Sequence, residues 1–96
     1  MKEVVRMKDE VNIPISVEWT KEEVIDVVNF YEAIDQAYTK GVEKDLLETL
    51  YGRYKKIVPS KSEEKQAFKE YEKQSGQSPY HAVKKARESE ENIIKM

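Results

Sequence analysis

The 96-residue chain contains no cysteine. Disulfides, thiolate zinc sites and iron–sulfur ligation are thereby excluded. A chain with no disulfide to form gains nothing from an oxidising compartment, so the cytoplasm is the expectation. His81 is the sole histidine, too few for a multi-histidine metal site. With three glycines and three prolines, long flexible linkers are not expected. No apolar run approaches the ~20 residues that span a bilayer, so no membrane partner is expected. The first twelve residues, MKEVVRMKDEVN, lack the continuous apolar core of a signal peptide.

What the chain has in abundance is charge. Charged residues make up 38% of it, against about 25% in average proteins. Seventeen basic and nineteen acidic side chains leave a formal net charge of −2. That balance gives no global drive toward nucleic acid or anionic lipid. It suits helices with charged outer faces. Apolar residues reach 39%, enough for one modest core in a single domain spanning residues 1–96.

Residues 1–12 read as a short helix or a loose arm. Ile13, Ile15 and Val17 then alternate with Pro14, Ser16 and Glu18, a period of two. Pro14 rules out a central strand, and no second strand stands out as its partner. The segment is expected to be an extended arm that lays Ile13, Ile15 and Val17 on helices. At TKEE the pattern changes. Thr20 fits an N-cap and Glu23, three residues on, completes capping-box spacing. Trp19 and Val24 stand at the two positions of a hydrophobic staple.

Helices are predicted at about 21–39, 44–58, 62–74 and 79–92. The first carries Val24, Val27, Val28, Tyr31, Ile34 and Tyr38 on one stripe, widened by Phe30 and Ala37, and Gly41 is its stop. The second presents Leu46, Leu47, Leu50, Tyr51, Tyr54, Ile57 and Val58. Gly52 inside it costs roughly 1 kcal/mol against alanine and is expected to permit close helix packing. Ser60 and Ser62 are alternative caps for the third helix, whose apolar face is thin: Ala67, Phe68 and Tyr71. Ser78 and Pro79 open the fourth, with Tyr80, Val83 and Ala86 on one side. The fold class expected is all-α: a small four-helix bundle with an extended N-terminal arm.

The order of these signals has a counterpart. IPISVEWTKEEVIDVVNFYEAIDQAY, a tyrosine- and leucine-rich helix, IVPSKSEEKQAFKEYEKQSG and SPYHAVKKA together resemble the YktA-like family of small uncharacterised proteins from Bacillus-type bacteria. The likeness runs from about Ile13 to Arg87. It implies a compact helical domain in a cytoplasmic protein and brings no catalytic residues with it.

Candidate chemistry is sparse. Glu22, Asp26 and Asn29 share a helix face, and carboxylate pairs of this kind hold divalent ions when a second pair faces them. Glu70 and Glu72 are two apart and fall on different faces, so no later helix supplies that second pair. The solvated side of a helix explains the three better. His81 has no evident serine or acid partner at helical spacing and reads as a surface residue. Ser62 and Lys65 match a Ser-x-x-Lys spacing, but Ser62 is already explained by the helix start. Neither a metal nor a cofactor is expected, nor an enzyme.

The basic residues give a candidate contact patch. Arg53, Lys55, Lys56, Lys61 and Lys65 cluster at the second helix junction, and Lys84, Lys85 and Arg87 on the fourth helix. If the clusters meet, they can contact phosphate backbones or an acidic partner. Alternatively they pair with the acids of the first helix, within one chain or in a homodimer. The leading expectation is a non-enzymatic protein-interaction module with a protein partner. A nucleic-acid-associated factor is the alternative.

The capping device is directly testable. Thr20→Ala is expected to cost about 1 kcal/mol of stability. An unchanged melting temperature would show that Thr20 caps nothing.

Overall fold

A computed structural model describes residues 2–7 and 11–96, with side chains for Ile13 and for residues 15–96. The elements run β1 (Lys2–Met7), β2 (Val11–Ser16), α1 (Lys21–Thr39), β3 (Val42–Glu43), α2 (Lys44–Ile57), α3 (Lys61–Ser75), α4 (Pro79–Glu88) and β4 (Ile93–Ile94). The mostly helical architecture is the one the sequence predicts. The helix starts follow its capping signals closely. Thr20 Oγ1 accepts from the Glu23 N–H at 3.1 Å, and the Thr20 N–H donates to Glu23 Oε1 at 2.8 Å. Of the two candidate serines, Ser60 caps α3, its Oγ accepting from the Glu63 N–H at 3.4 Å. Ser78 caps α4, with Pro79 at the first helical position.

Two strand pairs depart from expectation. The IPISV arm is extended but not unpartnered: β1 pairs antiparallel with β2, Val4 opposite Pro14 and Val5 opposite Ile13. A two-stranded sheet has only edge strands, where a residue without an N–H is tolerated. Ile13 and Ile15 are buried, whereas Val17 is 55% exposed, because β2 ends at Ser16 and the Trp19 N–H closes a turn onto Ser16 O at 3.2 Å. The expectation for residues 1 and 8–10 lies outside the described residues.

The second pair is at the other end of the chain. α4 stops at Glu88 rather than near residue 92, and Ile94 pairs with Val42 while Ile93 pairs with Glu43. The Lys44 N–H donates to Asn92 O and the Met96 N–H to Ala37 O, both at 2.8 Å, so the C-terminal segment is sewn onto α1 and α2. Gly41 makes this possible. Its φ is +98°, and an added Cβ would lie 3.0 Å from Ile93 Cγ2. Any other residue would meet both backbone strain and the β4 side chain.

The core is aromatic. Phe30 of α1 stacks on Tyr54 of α2 with ring centroids 4.7 Å apart, and on Phe68 of α3 at 5.9 Å. Tyr31 meets Tyr71 at 4.8 Å. The Tyr31 and Tyr54 hydroxyls lie 3.2 Å apart. Val27, Ile34, Leu47, Leu50, Ala82 and Ala86 fill in around the rings. Two sequence assignments need correcting here. Tyr80 is 58% exposed, since α4 buries Pro79, Ala82, Val83 and Ala86 and so faces inward one position off the expected stripe. Leu46 is also exposed, at the first turn of α2. A polar latch ties the α3–α4 turn to α1: Gln77 Nε2 donates to buried Asp35 Oδ1 at 2.9 Å, and Tyr71 Oη donates to Gln77 Oε1 at 3.0 Å.

Gly52 does not serve helix packing. It is exposed, and an added Cβ would have no neighbour within 4 Å. Gly52→Ala is therefore expected to stabilise the protein by up to about 1 kcal/mol, read as a raised melting temperature. A lowered one would show a constraint at this turn that the backbone does not display.

Burial also sets a pH limit. Desolvation raises Tyr31, Tyr71 and Tyr54 above their ordinary range, Tyr54 to about 12. It also raises Tyr51 to about 12, with help from the Glu64 carboxylate. The neutral phenol is favoured by the fold, so this stability is fully present below the unfolded phenol value of about 10 and is lost as pH climbs toward 12 and beyond. Thermal melts should show a steep fall in stability above about pH 10, with phenolate absorbance rising as helical signal disappears. Full phenolate formation near pH 10 in a still-folded chain would contradict this.

Candidate functional site

Two concavities flank α3. The larger, about 1180 Å³, lies where β2 and the end of α2 meet α3. Its floor is formed by Ile15, Val27, Tyr31, Tyr54 and Ile57, with half-buried Trp19 at one wall. The other wall is the outer stripe of α3: Glu63, Gln66, Ala67, Glu70, Lys73 and Gln74. These residues recur at helical spacing and so line one face.

The smaller cleft, about 200 Å³, lies between α2, α3 and α4. Glu64 sits in its wall, 9% exposed. Its carboxylate accepts from Tyr51 Oη at 2.7 Å and from Lys55 Nζ at 2.5 Å, so each oxygen holds one donor. The guanidinium of Arg87 lies over the Tyr51 ring, 6.0 Å from its centre. A raised Tyr51 is a hydrogen-bond donor and a poor nucleophile at neutral pH.

The residues of the predicted basic patch part company. Arg53 Nη1 pairs with Asp26 of α1 at 3.6 Å, a largely exposed contact worth little. Lys55 is held by Glu64. Lys85 Nζ donates to Lys95 O at 2.6 Å. Lys56, Lys61 and Lys65 are exposed. Lys84 lines the small cleft beside Arg87. The two clusters thus approach one another around Glu64, with a carboxylate between them.

Of the other candidates, Glu22 and Asn29 are exposed and Asp26 is spent on Arg53. Among the described residues no three acids or histidines converge as metal ligands would. His81 does have a serine partner: its Nδ1 lies 2.8 Å from Ser78 Oγ, which also accepts the His81 N–H at 3.2 Å. Here the side chain at the third helical position reaches back to the hydroxyl of its N-cap residue. The sequence reading missed Glu64, Asp35 and Tyr51 Oη. For the two acids a signal existed: Glu64 lies four before Phe68 and seven before Tyr71, and Asp35 lies four after Tyr31, each on an apolar stripe. No helix among the described residues is long and apolar enough to cross a membrane.

Comparison with known proteins agrees with the resemblance. Residues 10–95 match a family described as "Uncharacterised protein family (UPF0223)". The UPF0223 protein OB1419 of Oceanobacillus iheyensis is 52% identical over 83 residues, 86% of this chain and 94% of that protein. A UPF0223 protein of Bacillus pumilus is 51% identical over 88% of this chain and 96% of its own length. The UPF0223 protein YktA of Bacillus subtilis is 46% identical over 91% of this chain and 99% of its own. With the match covering nearly all of both partners, the chain belongs to the UPF0223 family.

Proposed function

We propose that this chain is a non-enzymatic protein-interaction module of the cytoplasm, and that the occupant of its larger groove is a second copy of itself. The observation that carries this reading is the order of charges along the groove face of α3. Glu63 and Lys73 are ten residues apart, about 15 Å along the helix. Two such helices laid antiparallel, with a two-fold axis at the level of Phe68, bring Glu63 of each copy opposite Lys73 of the other. The same axis brings Gln66 opposite Glu70. Every one of these facings is complementary and occurs twice, as an isologous interface requires. Ala67 near the axis is small enough for the helices to approach, and Trp19 with Ile57 supplies an apolar border.

A cytoplasmic setting is supported by the absence of cysteine. A binding role is supported by the way Glu64, Tyr51 and Lys55 satisfy one another. The nucleic-acid alternative loses weight because Arg53, Lys55 and Lys85 are engaged within the chain. A mixed-sign, largely polar stripe predicts a modest affinity, in the micromolar range.

Sedimentation equilibrium tests the proposal. The wild-type chain should pass from monomer to dimer with rising concentration. Ala67→Arg and Lys73→Glu should each hold it monomeric with the helical signal unchanged. A wild type that stays monomeric, or a dimer indifferent to both substitutions, would overturn it.

A further inference from the structure

The cleft between α2, α3 and α4 shares no residue with the groove and needs no second copy. Tyr80, Lys84 and Arg87 line it from α4, four and three residues apart on one face. Phe68 and Val83 give it an apolar patch, and buried Glu64 stands in its wall. Among the described residues Lys84 makes no ion pair, and Arg87 lies against Tyr51, at its ring and its hydroxyl. Two cations, two tyrosines, an apolar patch and the carboxylates of Glu64 and Glu88 thus converge on a space of about 200 Å³, below the ~300–1,000 Å³ of drug-sized sites. There is room for a single ring with one acid group and not for a nucleotide.

We propose that this cleft binds a small hydroxylated aromatic acid. The charges fix its direction of entry. Glu64 repels a second carboxylate at the wall, so the ring goes in first, against Phe68, Val83 and Tyr80. The acid group stays at the mouth with Lys84 and Arg87, where a guanidinium presents a flat fork to a carboxylate. Each Glu64 oxygen holds one donor and has a lone pair to spare. A hydroxyl on the ring, opposite the acid, can donate to it. Tyr80 is left largely exposed with its ring beside the cleft, and an aromatic guest would cover it.

Backbone amide NMR titration with 4-hydroxybenzoate tests the proposal. Saturable shifts are expected at Tyr80, Val83, Lys84 and Arg87. Arg87→Ala and Lys84→Ala, both on exposed positions, should each weaken binding about tenfold. Benzoate should bind less tightly, and neither phenol nor acetate should saturate. Three results would overturn it: no saturable shift, acetate shifting the same amides equally, or affinity unaltered by both substitutions. Shifts confined to Trp19 and Ile57 would also overturn it, by placing the guest in the groove. None of these outcomes bears on self-association, which sedimentation reads separately.

Discussion

The mutual contact of Phe30, Tyr54 and Phe68 is the interaction on which the rest of this fold depends. Three helices meet at that stack, and each contributes one ring. Truncating a core ring of this size costs about 3–5 kcal/mol, a large part of the 5–15 kcal/mol that holds a domain together. α3 shows why the stack matters. Its inward face offers only Phe68, Tyr71 and Glu64, so it cannot hold its place by area alone. It is fixed by two rings in the aromatic cluster and by one carboxylate bonded to α2. Once α3 is fixed, its outer stripe becomes a wall of the groove and its inner edge a wall of the cleft.

Tyrosine serves this core better than phenylalanine would, because the hydroxyls join the helices a second time. Tyr31 meets Tyr54 across the α1–α2 interface, Tyr51 reaches Glu64 on α3, and Tyr38 accepts from the Ser78 N–H at 3.0 Å at the start of α4. A buried polar group left without a partner costs about 1–3 kcal/mol, so these bonds constrain which helix faces which. Burial gives the core its strength, and the hydroxyl pairs fix its register.

Much of this was legible in the sequence, and what was not has physical reasons. Local signals carried well. Thr20 with Glu23, Ser78 with Pro79 and Gly41 each act within one turn of chain, and each stands where it was expected. Signals that depend on distant partners carried poorly. β1 has two valines among charges and becomes a strand only because β2 lies beside it. Ile93 and Ile94 fit a helix or a strand equally until Gly41 turns Val42 toward them. Tyr80 was assigned inward by its spacing to Val83 and Ala86, yet the small residues Ala82 and Ala86 let α4 approach and leave the ring outside. Glu64 was passed over, although its spacing to Phe68 and Tyr71 placed it on the buried face. The basic patch depended on tertiary partners, and the structure divides it among ion pairs, a backbone carbonyl, the cleft and open solvent.

The central claim is that the aromatic core frees the outer stripe of α3 for a second copy. The absence of cysteine allows a direct test, since one introduced thiol takes a single spin label. With a label at Gln66→Cys, dipolar coupling between copies is expected, because the two-fold axis brings both labels near each other. A label at Glu48→Cys, exposed on α2, should show none. Coupling at Glu48→Cys but not at Gln66→Cys, or at neither, would contradict the account.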